Sequence, residues 1–142
     1  MVEAMKKDFE ILDHTADVGI IAYGADMSQA FANAARGLFS LITDLDGVEE
    51  VLHRDAELTA TDEENLLVEW LNELIYQFDT EGIIFKRFDI IRLDNTRLKA
   101  RSYGEKVDKS KHKLKIGVKA ATYHMLKVDK GDGCRVQVLF DI

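Results

Sequence analysis

The chain of 142 residues contains no proline and a single cysteine, Cys134. One cysteine excludes an internal disulfide and the disulfide-stapled scaffolds of small secreted domains. Without proline there is no proline-rich linker. No repeat or low-complexity segment marks a boundary either, so residues 1–142 read as one domain. No apolar run approaches the roughly 20 residues of a membrane-spanning helix, and Met1 to Asp8 hold no apolar core of signal-peptide length. Positive charge is in the minority: 19 Lys and Arg against 26 Asp and Glu give a formal net charge of −7. A general nucleic-acid binder needs a basic face to displace counterions from phosphates, so strong direct nucleic-acid binding is not expected. These absences together point to a soluble cytoplasmic protein with no membrane role.

What is present is an ordinary globular pattern, with 46% hydrophobic residues. Phe9 to Leu12 and Val18 to Tyr23 read as two short strands. A first helix follows, capped by Asp26 with Gln29 at the capping-box position, and an apolar stripe runs from Ala30 to Ile42. Ala34, Ala35 and Gly37 keep that face small enough for close approach to a neighbour. Asp44-Leu45-Asp46-Gly47 is a turn, and the twelve-residue calcium loop with its closing glutamate is missing there. Val48 to Ala60 reads as a strand that includes His53, a surface histidine. Thr61-Asp62-Glu63-Glu64 fits a second capping box, followed by the stripe Leu66, Leu67, Trp70, Leu71, Leu74, Ile75 and Phe78, with Gly82 as the stop. Five strand-like stretches complete the chain: Ile83–Leu93, Thr96–Tyr103, Leu114–Ala120, Met125–Val128 and Arg135–Phe140. The expected fold is α+β, an antiparallel or mixed sheet (or sheets) covered by two amphipathic helices in the order β-β-α-β-α and then about five strands.

The candidate chemistry gathers at two places far apart in the chain. Asp13-His14-Thr15-Ala16-Asp17 sets two carboxylates, an imidazole and a hydroxyl between apolar runs. Burying such a cluster is costly unless something pairs with it. The chain closes on Val138-Leu139-Phe140-Asp141-Ile142, which offers a carboxylate and a terminal carboxylate after an apolar strand. If the two places meet, their hard oxygens suit calcium, magnesium or manganese rather than zinc. A ligand at the chain end would be displaced by any added C-terminal residue.

Other chemistries find little support. His14 and His124 form no HExxH pair, and Cys134 stands alone, an inert buried thiol. There is no G-x-S-x-G elbow, Walker A sequence or dinucleotide fingerprint. The lysine-rich run from Glu105 to Lys113 reads as a mobile loop, either a solvated face or a phosphate- or partner-contacting one.

Three stretches together resemble the archease family: Asp13-His14-Thr15-Ala16-Asp17-Val18-Gly19, Val118-Lys119-Ala120-Ala121-Thr122-Tyr123-His124 and Phe140-Asp141-Ile142. The helix Leu67-Val68-Glu69-Trp70-Leu71-Asn72-Glu73-Leu74 fits as well. One departure is the loop from Tyr103 to His112, which carries a proline in that family and none here. The resemblance implies a non-catalytic protein cofactor of the GTP-dependent tRNA-splicing RNA ligase. Such a cofactor promotes guanylylation of the ligase's histidine and supports multiple turnover in tRNA splicing and RNA repair, with GTP used by the partner. It further implies divalent-metal ligands at Asp17, Asp141 and Ile142, with Asp13 and His14 beside them, and a lysine needed for activity at Lys119. Two other functions stay open at this point. One is a chaperone-like module for RNA-modifying proteins. The other is a small metal-dependent phosphohydrolase with Asp13 or His14 as general base.

Overall fold

The computed structural model describes residues 7–13 and 17–142. His14 therefore lies outside the described residues. Two strands open the fold, β1 (Phe9–Asp13) and β2 (Val18–Gly24), followed by helix α1 (Met27–Ile42). The Asp26 carboxylate accepts the Gln29 N–H at 2.8 Å, and Gln29 Oε1 accepts the Ala25 N–H at 2.6 Å, so the start of α1 is closed from both sides. Ala30, Phe31, Ala34, Ala35, Leu38, Phe39, Leu41 and Ile42 are all buried, more than one apolar stripe requires. The reason is that α1 has a sheet on each side and packs on both β2 and β4.

A short 3-10 turn (Leu45–Gly47) leads to β3 (Leu52–Thr59) and then to helix α2 (Glu63–Glu81). The sequence places the β3 strand from Val48, but pairing starts only at Leu52, after that turn. The cap of α2 is Asp62 rather than Thr61: its carboxylate accepts the Asn65 N–H at 2.8 Å, while the Thr61 hydroxyl accepts from Asn65 Nδ2. Gly82 ends α2 in the left-handed conformation, with φ at 66°, where a side chain would be strained.

Four strands follow: β4 (Ile83–Leu93), β5 (Arg97–Lys106), β6 (Ala120–Gly131) and β7 (Gly133–Asp141). The expected strand over Leu114–Ala120 is absent. That segment joins no ladder: its N–H groups at Lys115 and Ile116 bond to the last carbonyls of α1, Ile42 and Leu41. The Met125–Val128 stretch belongs to the longer β6.

All strand pairs are antiparallel, in two sheets of order β1-β2-β7-β6 and β3-β5-β4. The helices lie against strands of both. Gly37 sits where α1 approaches β2: a Cβ there would stand 2.9 Å from Ile20 Cγ2. On its other side, Phe39 meets Phe85 edge-on at 5.7 Å and stacks on Phe88 at 6.0 Å. Trp70 of α2 is fully buried, meets Phe88 edge-on at 6.0 Å, and donates its indole N–H to the Phe31 carbonyl at 3.1 Å. Truncating it should cost about 3–5 kcal/mol.

Candidate metal centre

The site follows from strand register. In the β2–β7 ladder Val18 stands opposite Phe140, Ile20 opposite Val138 and Ala22 opposite Val136, and all six side chains are buried. That shared apolar face fixes the register, because a slip of one residue would turn each strand's core face to solvent. Asp17 immediately precedes Val18, and Asp141 immediately follows Phe140. The two aspartates are thus brought to the same end of one pair of strands. Asp13 ends β1, where it pairs with Val18. At the other side of β7, Ala120 pairs with Asp141, and the Lys119 N–H donates to the Asp141 carbonyl at 2.8 Å. Extending the ladders by one residue sets Asp17 opposite Asp141 and Lys119 opposite Ile142. Lys119 itself lies just before β6, not inside a strand.

Accessibility differs across the group. Asp13, Lys119, Asp141 and Ile142 are exposed, whereas Asp17 is half-buried and its Oδ1 is withdrawn from solvent. Among the described residues, no group of three or more His, Cys, Asp and Glu side chains is disposed to hold a metal ion. The oxygens available to a hard cation at this end of the sheet are of mixed origin: the Asp17 and Asp141 carboxylates and the oxygen of Ile142. Calcium, magnesium and manganese accept carboxylate and main-chain oxygens alike.

Asn72 was not legible as a site residue. Its Oδ1 accepts the Ala121 N–H at 2.8 Å, which ties α2 to the outer edge of β6 two residues past Lys119. The signal was a lone amide in the apolar helix motif Leu67–Leu74. The other candidates lie elsewhere. His124 is exposed on β6, and Cys134 is buried near the opposite end of β7, where burial pushes its thiol pKa up. His53 is on the surface of β3, its ring 6.0 Å from that of Tyr103.

The model of the archease protein family (MTH1598/TM1083) matches residues 9–142. The chain belongs to the archease family. It is 40% identical to the archease of Sulfolobus acidocaldarius over 126 residues, covering 88% of this chain and 91% of that one. With the Pyrococcus abyssi archease it shares 41% identity over 128 residues, 87% and 89% of the two chains. The solution structure of Methanobacterium thermoautotrophicum protein 1598 superposes with a TM-score of 0.84 at 37% identity, over 96% of this chain and all of that one. A Thermotoga maritima archease, described as a possible chaperone, has the same fold with a TM-score of 0.62 at 20% identity, over 94% and 96% of the chains. The archease match runs through β1, β7 and every element between, so both ends of the candidate site lie inside it. No helix among the described residues is long and apolar enough to cross a membrane.

Proposed function

We propose that this archease is a non-catalytic activator of a GTP-dependent tRNA-splicing RNA ligase, acting through one divalent cation held by Asp17, Asp141 and Ile142. The observation that carries the reading is the β2–β7 register, which sets the two aspartates together at an exposed end of the sheet beside Lys119. A divalent ion held there would supply charge neutralisation to phosphate oxygens during guanylylation of the ligase's histidine. The chain's own part is placement. Asp17 and Asp141 project from paired strands that cannot slip, and the Lys119–Asp141 backbone bond fixes the lysine beside them. Lys119 is the side chain of this group suited to meet a phosphate or an acidic partner residue. Asp13 stands next to the ligands as a positioning carboxylate. An exposed acidic edge also suits insertion into the basic cleft that an RNA ligase must have.

The test is a ligation assay with limiting ligase, GTP and a divalent metal. The wild-type chain is expected to raise the number of turnovers per ligase, and Asp141→Ala is expected to abolish that gain while keeping its fold. A second reading is favoured by the description of the Thermotoga maritima relative: a chaperone-like module, which would stimulate equally well with Asp141→Ala. Phosphate release by the chain alone would indicate a phosphohydrolase instead.

A further inference from the structure

Residues 109–128 carry six lysines and two histidines and none of the chain's 26 acidic residues; Asp108 and Asp129 bound the stretch. In a chain of net charge −7 this is a segregated basic segment. Its first half is the irregular strap between β5 and β6, and the strap is held by its backbone. The Thr43 hydroxyl donates to the Lys113 carbonyl at 2.8 Å, and the Lys115 N–H to Ile42 at 2.8 Å. The Ile116 N–H donates to Leu41 at 3.2 Å, and the Lys119 N–H to Asp141 at 2.8 Å. His112 and Val118 are buried and Ile116 partly so, while Lys113, Lys115 and Lys119 are exposed. Chain reach places Lys115 within about 7 Å of Lys113, and Lys119 within about 22 Å of it. Among the described residues these three lysines form no ion pair, whereas Lys111 is taken up by Glu49 and Glu105.

The strap runs straight into a bulge of β6. Thr122 pairs with Leu139 and Lys127 with Gln137, so Tyr123, His124, Met125 and Leu126 stand opposite the single residue Val138. Met125 has a φ of 55°, rare outside glycine, and its carbonyl accepts Gln137 Nε2 at 2.9 Å. The bulge leaves Tyr123 60% and Met125 48% exposed. Three exposed lysines on one strap, followed by an exposed ring, are the composition that tracks a single-stranded backbone and stacks a base.

We propose that the Lys113–Lys119 strap and Tyr123 bind the single-stranded end of an RNA, phosphates along the lysines and a base on the tyrosine ring. The choice of RNA rather than another linear polyanion rests on the ligase-cofactor reading. The contact is weak, because the rest of the chain is acidic, and it is steeply salt-dependent. Three lysines on single-stranded phosphates predict a log–log salt slope of about −2.

The experiment is fluorescence anisotropy of the full chain with a labelled ten-nucleotide single-stranded RNA at low salt, beside an RNA duplex of equal length and a glutamate peptide of equal charge. The single strand is expected to bind with that slope and to outcompete duplex and peptide. Lys113→Ala/Lys115→Ala is expected to weaken it by roughly ten-fold, and Tyr123→Ala to weaken it with the salt slope unchanged. Lys113→Glu/Lys115→Glu should abolish binding. Equal binding of the peptide, no binding of the single strand, or double variants that bind as the wild type does would each overturn the proposal. A ligation assay on the same samples separates this outcome from failure of the ligase reading: stimulation without RNA binding removes only the strap's role.

Discussion

Val18 stands opposite Phe140 in the β2–β7 ladder, so extending that register by one residue sets Asp17 opposite Asp141 at one end of the sheet. Directly opposed residues in antiparallel strands have Cα atoms about 4.5–5.5 Å apart. A divalent cation held between side chains on such opposed residues would draw ligands from both strands. The arrangement is built from one end of the chain and the other, so it forms only when the sheet closes.

A bound cation should therefore stabilise the folded chain. Calcium, magnesium or manganese at a hundredfold excess over its dissociation constant adds about 2.7 kcal/mol. The expected result is a rise in the thermal midpoint with metal in the wild type, and none in Asp17→Asn or Asp141→Asn. Calorimetric melting with and without a chelator reads this directly.

Trp70 fills the space between α2, β4 and α1, and its indole N–H satisfies the Phe31 carbonyl. Trp70→Ala is expected to destabilise the chain by about 3–5 kcal/mol in urea unfolding. Trp70→Phe should lose less, since it keeps most of the volume and gives up the hydrogen bond.

At Gly37 a methyl group would gain helix propensity worth up to about 1 kcal/mol. It would also stand 2.9 Å from Ile20 Cγ2, 3.2 Å from Phe9 Cδ1 and 3.0 Å from Ile20 Cδ1, the one of these atoms that Ile20→Val removes. Ile20 is fully buried and cannot swing away. Gly37→Ala is therefore expected to be net destabilising, by about 1–2 kcal/mol. Adding Ile20→Val should cost less in the Gly37→Ala background than in the wild type, and a double-mutant cycle measures the difference.

Glu105 supplies a pH dependence. Desolvation raises its pKa, but the Glu49 N–H, Lys111 and His112 outweigh that and hold it below the usual value of 4.5. A carboxylate with a depressed folded pKa contributes stability above its unfolded value and loses it as pH falls through the folded one. The stability gap between wild type and Glu105→Gln is thus expected to be full above about pH 5 and to shrink progressively below pH 4.5. Urea unfolding at a series of pH values checks it. A gap that widens on acidification would contradict the assignment.

The sequence made both helices legible, because capping residues and apolar periodicity are local. Asp26, Gln29 and Gly82 do what their types suggest, and only the cap of α2 moved by one, from Thr61 to Asp62. The strap at 114–119 was misread as a strand for a physical reason. Ile116 and Val118 alternate with exposed residues, yet they pack beneath the end of α1, and alternation reports burial rather than ladder pairing. Two sheets enclosing α1, rather than a sheet with helices laid on it, could have been suspected from the apolar residues around most of that helix. The approach of the Asp13–Asp17 stretch to the last residues is suggested by residue chemistry, and Asp17 and Asp141 as its ligands by the family resemblance. It required a pairing between β2 and β7 that no local pattern encodes. Asn72 escaped because a side-chain acceptor for a sheet edge has no periodic signature.

Manganese broadening of amide signals tests most directly whether the front motif and the last residues share one ion. Substoichiometric manganese added to the uniformly labelled chain is expected to broaden Val18, Lys119 and Asp141 together, and to leave them sharp in Asp141→Asn. Broadening centred on another acidic stretch, such as the Asp44–Gly47 turn, with Val18 and Asp141 unaffected, would contradict the account.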